Sequence, residues 1–268
     1  MRLVIVSLLI SYIAISLAMI LLWWWQQRSR RPSVVDVAWS FGVAGLSILQ
    51  LLLVPTDLVA RHWLVALMIG IWGGRLGITL LIRIMKLPED GRYRNLQQQW
   101  KSSFHKKMFW FFQFQAFGCM LFVLPFAMIA QAVDPLNMLD YIGVGVWLIG
   151  IIGGLIADKQ LTRFRLDKNN QGVVCKQGLW RYSRHPNYFF EWIHWCSYVF
   201  MGWTAPLGFL LIMTPLVMLY LLLRVTGIPT SEKQAIASRG EAYRQYQLET
   251  SSFVPLPPRI VLQNEGIE

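Results

Sequence analysis

Between Gly178 and Trp192 the chain reads Gly-Leu-Trp-Arg-Tyr-Ser-Arg-His-Pro-Asn-Tyr-Phe-Phe-Glu-Trp, placing two arginines, a histidine, an asparagine, two tyrosines and a glutamate against the start of an apolar segment. Pro186 suits the first turn of a helix, where its missing N–H has no intrahelical role. A helix beginning there puts Asn187 and Glu191 on one face at i,i+4 spacing. Arg181, Arg184 and His185 precede it, where cationic side chains and free helical N–H groups can hold an anion together. The stretch therefore reads in two ways. It is a seat for a phosphate-bearing cofactor at a membrane surface, or a basic cluster capping a membrane helix on its inner side. Glu191 favours the first, because a carboxylate inside a membrane helix marks function by default.

Three other ionisable residues stand out. Arg75 falls in the middle of an apolar run rich in glycine, where an arginine costs at least a few kcal/mol unless solvated or paired. Asp36 or Glu191 would serve as its partner. Asp36 opens the second apolar run, where it acts either as a helix-start carboxylate or as a functional group. Asp158 sits at the end of the fifth run, opposed by the helix dipole, so it requires a strong partner. Arg163 and Arg165 follow it closely.

The elements that must position these residues are membrane helices. The chain has 268 residues, 55% of them hydrophobic, with 13 tryptophans. Apolar runs near 20 residues predict an all-α, polytopic membrane helix bundle of about seven spans, at 3–25, 34–54, 62–86, 107–131, 139–159, 187–203 and 206–226. The first run ends in Trp23-Trp-Trp25 and lacks a small-residue cleavage site, so it is read as a retained anchor rather than a signal peptide. A net charge of +11 does not point to nucleic acid here, because Lys and Arg concentrate in alternate connections. These are the segments after the first, third and fifth spans. That alternation places the N-terminus outside and the C-terminus in the cytoplasm. Cys119, Cys175 and Cys196 have no metal-ligand spacing and read as buried thiols, so no metal is expected. Gly70, Gly73, Gly74 and Gly77, and likewise Gly143, Gly150, Gly153 and Gly154, form small-residue faces for close helix contact. The second face, leading to Asp158, is alternatively a groove for the flat end of a cofactor. The whole of 1–268 reads as one membrane-embedded domain: a first helix and basic loop to 33, a core over 34–226, and a polar tail over 227–268 lying along the cytoplasmic face.

The Gly178–Trp192 block also carries a family resemblance. Together with Asp36-Val-Ala-Trp-Ser-Phe-Gly42, Asp158-Lys-Gln-Leu-Thr-Arg-Phe-Arg165, Leu223-Arg-Val-Thr-Gly-Ile-Pro229 and Tyr243-Arg-Gln-Tyr246 through Pro255, it resembles the C-terminal domain of the steroid 5-alpha-reductase family, in its bacterial DUF1295 branch. The resemblance covers roughly residues 34 to 258 and implies a bacterial inner-membrane enzyme. It also implies that NADPH is held from the cytoplasmic side by Asp158, Arg165, Gly178, Leu179, Tyr182, Asn187, Glu191 and Arg224. Arg163, Arg181, Arg184, His185 and Tyr188 lie inside the same matching blocks, and Tyr243 and Tyr246 inside the matching tail. Arginine forks suit a pyrophosphate and a ribose phosphate, while Asn, Asp and Glu suit an amide and ribose hydroxyls. No Gly-x-Gly-x-x-Gly turn follows a strand, so the site is not a Rossmann one.

The reaction the resemblance implies is hydride transfer to an activated C=C bond of a lipophilic, steroid-, sterol- or lipid-like substrate in the membrane. No nucleic acid and no obligate protein partner is expected. Steroid-reducing members hold the substrate ketone with a glutamate in helix two and a tyrosine in helix three. Here the tyrosine position falls at Trp72, and helix two offers Asp36 and Ser40 but no glutamate. Asp36 and Arg75 are the candidates for polarising or protonating the substrate. Two other classes compete. Membrane methyltransferases using S-adenosylmethionine on isoprenylcysteine or phospholipid carry a similar Arg-His-Pro-x-Tyr element with a later glutamate, but need no seat for a 2′-phosphate. A non-catalytic adaptor would retain the fold alone.

Overall fold

The computed structural model describes residues 2–54, 57 and 59–259. Ten α-helices follow one another among these residues: α1 (Arg2–Ser29), α2 (Val34–Leu53), α3 (Ala60–Lys86), α4 (Gly91–Trp100), α5 (Phe104–Ile129), α6 (Met138–Leu166), α7 (Pro186–Met201), α8 (Met213–Tyr220), α9 (Ile228–Arg239) and α10 (Glu241–Glu249). No strand forms among them, and the one β-bridge pairs Ser183 with Ser251. Among the described residues, six helical stretches are long and apolar enough to cross a bilayer. The protein is an all-α, polytopic, integral membrane protein. The segment expected as the sixth span forms α7, which at 16 residues is about 24 Å long, short of a hydrocarbon core of about 30 Å. The segment after it opens as a 3₁₀ turn over Gly208–Ile212, continues as α8, and ends as a π-helical turn over Leu221–Val225.

By contact density the chain forms two compact units, residues 1–140 with 201–211, and residues 141–200 with 212–268. In the first, α2 packs on α3 and α5, and α1 packs on α5 and α2. Small residues make the closest of these contacts. A Cβ on Gly73 would meet the Ala44 Cβ at 2.3 Å, and one on Gly77 would meet the Phe41 ring at 2.6 Å. Polar side chains bridge the same helices, with Gln50 bonded to Ser7 and Ser11, and Ser16 bonded to Gln113. Such bonds contribute because hydrocarbon offers polar groups no other partner. Arg61 and Asp140 form a bidentate pair at 2.7 and 2.9 Å, each only 1% exposed. Arg61 also caps the carbonyls of Ala132, Asp134 and Pro135.

In the second unit the α6 glycines are filled by α7. A Cβ on Gly150 would meet the His194 backbone N at 2.7 Å, and one on Gly153 would meet the Phe190 ring at 2.3 Å. At these two positions the small-residue face serves helix contact, and a neighbouring helix occupies the space a cofactor would need. The polar segment after Gly227 folds into α9 and α10. Pro229 sits in the first turn of α9, where it is tolerated. Gly240, at φ +55°, turns the chain between the two helices. All three cysteines are free thiols, Cys119 and Cys175 buried and Cys196 half-buried.

Candidate functional site

The residues expected to hold a cofactor, from Asp158 to Tyr246, all belong to the second unit, and Asp36 and Arg75 belong to the first. Within the second unit, three segments meet. The end of α6 supports the turn that starts the arginine–histidine stretch. Leu179 N–H donates to Gln160 Oε1 at 2.9 Å, and the Trp180 indole donates to the Ala157 carbonyl at 2.9 Å. Gly178 adopts φ +58°, and a Cβ there would lie 2.4 Å from the Gln160 amide. Glycine is required on both counts. This places the 178–180 turn beside the helical turn that carries Asp158, which is itself at the surface.

The tail supplies the other side. Ser183 Oγ donates to the Phe253 carbonyl at 2.7 Å and accepts from His185 N–H at 3.1 Å. Arg184 N–H donates to the Ser251 carbonyl at 2.8 Å, and Leu256 N–H to the Tyr182 carbonyl at 3.0 Å. Tyr246 is buried, and its hydroxyl donates to the Trp180 carbonyl and, at 3.3 Å, to the Ser183 carbonyl. Burial raises its pKa far above the usual tyrosine value, so the O–H remains a donor at physiological pH. Tyr243 beside it is pushed by burial up to about 12.

Arg184 is 9% exposed and is engaged within the fold. Its Nε donates to Glu232 Oε1 at 2.7 Å, and its Nη1 donates to the carbonyls of Gln247 and Thr250. His185 Nε2 lies 3.4 Å from the same Glu232 oxygen, and its ring stacks on Tyr188 at 5.3 Å and 4°. The Tyr188 hydroxyl pairs with Ser231 Oγ at 2.9 Å. Arg184, His185, Tyr188 and Tyr246 are thus positioned by mutual and tail contacts. By contrast, Arg163, Arg181 and Arg224 are exposed and make no hydrogen bond or ion pair among the described residues, and neither does the half-buried amide of Asn187. Arg224 projects from the π-helical turn, closed by Thr226 N–H on the Leu221 carbonyl at 2.9 Å. Single π turns recur at functional positions. Arg165 is exposed near the end of α6, and Glu191 is half-buried on α7, bonded by the Trp195 indole at 3.2 Å.

In the first unit Asp36 lies in the first turn of α2. Its Oδ1 accepts the Tyr93 hydroxyl at 2.8 Å and its Oδ2 accepts Arg92 Nη2 at 2.9 Å. Asp90 extends the cluster, accepting from Arg92 N–H, Arg92 Nη2 and Arg83 Nη2 at 2.8, 3.2 and 2.9 Å. A cavity of about 10 Å³, enough for one water, is lined by Ser33, Asp36, Leu80, Arg83, Ile84, Pro88 and Asp90. Arg75 is half-buried in the middle of α3. Trp72, at the position expected for a ketone-holding tyrosine, is fully buried, edge-on to Trp39 at 6.1 Å.

The residues that sequence reasoning did not single out are Tyr93, Arg92, Gln160, Ser183, Ser231, Glu232 and Gln247. Glu232 left a trace, as a carboxylate shortly after the Pro229 helix start. Tyr93 left none, since its loop read only as a basic connection.

A family model described as "Protein of unknown function (DUF1295)" matches residues 22–250. Over 64 residues, 24% of this chain, the sequence is 32% identical to "3-oxo-5-alpha-steroid 4-dehydrogenase 1" of Homo sapiens, and equally to the protein of that name from Macaca fascicularis. The matched stretch spans about a quarter of the length of each relative.

Proposed function

Since this chain belongs to the DUF1295 family, we propose that it is a membrane-embedded oxidoreductase that uses NADPH to reduce an activated C=C bond of a lipophilic substrate. The observation that carries the reading is the set of groups left available around the braced 178–191 stretch. The exposed guanidinium groups of Arg163, Arg181 and Arg224 and the unbonded amide of Asn187 are the donors a phosphate-bearing dinucleotide requires. Asp158 and Glu191 are the acceptors that ribose hydroxyls require. The similarity to a protein named 3-oxo-5-alpha-steroid 4-dehydrogenase 1 supports the oxidoreductase class and an apolar, carbonyl-bearing substrate.

When bound, NADPH supplies the hydride. The chain's own task is to draw electrons toward the substrate carbonyl and to deliver one proton to the carbon next to it. Asp36 and Arg75 are the residues we assign to that task. Tyr93 places an O–H proton on Asp36 Oδ1 while Arg92 holds Oδ2, so this pair keeps a proton at a defined position at the start of α2. The donors face the cytoplasm in this reading, as the loop charges require.

Titration of the detergent-solubilised full chain with NADPH, NADH and S-adenosylmethionine tests it. Tighter binding of NADPH than of either other ligand is expected. Binding of S-adenosylmethionine alone would replace the reductase with a methyltransferase. A gain of two hydrogens in a lipid extract incubated with protein and NADPH, read by mass spectrometry, would identify the substrate.

A further inference from the structure

The second unit contains a polar groove that the reductase reading does not use. Arg184, Gln247, Leu248, Thr250, Ser251, Ser252, Leu256, Pro257 and Arg259 enclose about 290 Å³, the volume of about ten waters. No Asp or Glu lines it. The two cations differ in how they are balanced. Arg184 gives its Nε to Glu232, which stands outside the groove, and its Nη1 to the carbonyls of Gln247 and Thr250. Arg259 is exposed, and its guanidinium has no partner among the described residues. The hydroxyls of Thr250, Ser251 and Ser252 likewise make no hydrogen bond among the described residues.

The wall is pinned along its length by backbone bonds. Arg184 N–H holds the Ser251 carbonyl, Leu256 N–H holds the Tyr182 carbonyl, and Arg259 N–H holds the Glu249 carbonyl at 2.8 Å. Pro255, Pro257 and Pro258 stiffen the intervening chain, since each fixes φ. Donors held in place before binding lose little freedom when a ligand arrives. A guanidinium beside several hydroxyls, with no carboxylate on the lining, is the donor set for a tetrahedral dianion.

We propose that this groove is a binding site for a phosphate monoester, held by Arg259 and the Thr250–Ser252 hydroxyls. The inference does not rest on the reductase reading. The same chemistry is offered by a small soluble phosphate ester and by a phosphate-monoester lipid headgroup, and the experiment separates them.

Calorimetry of the full chain in detergent with adenosine 2′-monophosphate and with inorganic phosphate forms one arm. Thermal unfolding in phosphatidylcholine nanodiscs with and without phosphatidic acid forms the other. Both are repeated with Arg259→Gln and Ser252→Ala, which leave the Arg184–Glu232 pair intact. Binding of the soluble probes, weakened about tenfold by Arg259→Gln and less by Ser252→Ala, assigns the groove to a soluble ester. Stabilisation by phosphatidic acid alone, lost in the same variants, assigns it to a lipid headgroup. If neither arm shows binding, or if binding persists unchanged in both variants, the proposal is overturned.

Discussion

Arg184 and Glu232, 48 residues apart in sequence, meet at 2.7 Å with side chains only 9% and 15% exposed. Glu232 also accepts from the Gln247 amide at 2.7 Å. One carboxylate thereby ties the arginine–histidine stretch to both tail helices. Removing one partner of a buried, hydrogen-bonded pair strands the other charge, and costs about 3 kcal/mol or more. Glu232→Gln and Arg184→Met are each expected to lower thermal stability and to speed hydrogen exchange over residues 241–259. The double variant should recover part of the loss. A Glu232→Gln protein as stable as the parent, with unchanged exchange in the tail, would show that the pair does not hold this segment.

The engagement of Arg184 separates two kinds of arginine in cofactor binding. Arg184→Ala should weaken NADPH and NADH alike, because it loosens the whole braced stretch. Arg165→Ala should weaken NADPH about tenfold, the scale of one charge-assisted bond, and leave NADH nearly unchanged. Asn187→Ala and Glu191→Ala should weaken both, since neither contact senses the extra phosphate. Equilibrium titration of each variant with both cofactors checks this. Equal affinity of the parent for NADPH and NADH would remove the phosphate argument.

Tyr93 and Asp36 give a sharper test of the chemical step. Tyr93→Phe removes one hydroxyl and keeps the ring, so NADPH affinity should hold while turnover falls roughly 100-fold, the effect of losing a positioned proton donor. Asp36→Asn should behave likewise. Arg75→Leu should also reduce turnover or stability, because an arginine in mid-helix needs its surroundings. Unchanged kcat in Tyr93→Phe would take the pair out of the mechanism, and unchanged kcat and stability in Arg75→Leu would do the same for Arg75.

Asp90 predicts an acid limit for the α3–α4 connection. Burial pushes its pKa up, but Arg92 and then Arg83 outweigh burial, and the folded-state pKa lies below the usual carboxylate value. The unfolded chain, with Asp near 3.9, therefore binds the proton more readily. The stability contributed by Asp90 is fully present above about pH 4 and is lost as pH falls from there through the lower folded value. Hydrogen exchange over residues 87–100 should accelerate in that range in the parent. In Asp90→Asn it should already be fast at pH 7, with no further acid step. A parent whose exchange in this segment shows no acid step would contradict the assignment.

The long apolar helices, most of their boundaries and the small-residue contacts were legible in the sequence because they depend on local quantities, whereas the polar helices α4, α9 and α10 were not. Apolar runs near 20 residues demand a helix in lipid, since every backbone polar group must be satisfied within the segment. Pro186 marked the start of α7, and the glycines at 73, 77, 150 and 153 marked where a neighbouring helix packs closest. Arg181 stood out by its place just before a helix start, whereas Arg163, Arg224 and Asn187 became candidate ligands only through the family resemblance. What the tertiary structure alone decided was which polar groups are already spent. Arg184 and Arg181 are indistinguishable as letters three positions apart, yet one is locked to Glu232 and two carbonyls while the other is exposed. Asp36 read equally as a helix-start carboxylate and as a functional group, and nothing in the sequence showed that Tyr93, 57 residues on, donates to it. The tail read as a polar surface segment, because its few apolar positions, among them Tyr243 and Tyr246, bury only once α10 packs beneath the 178–183 turn. Such pairings depend on the long-range return of the chain, and composition and periodicity carry no record of which segment returns to which.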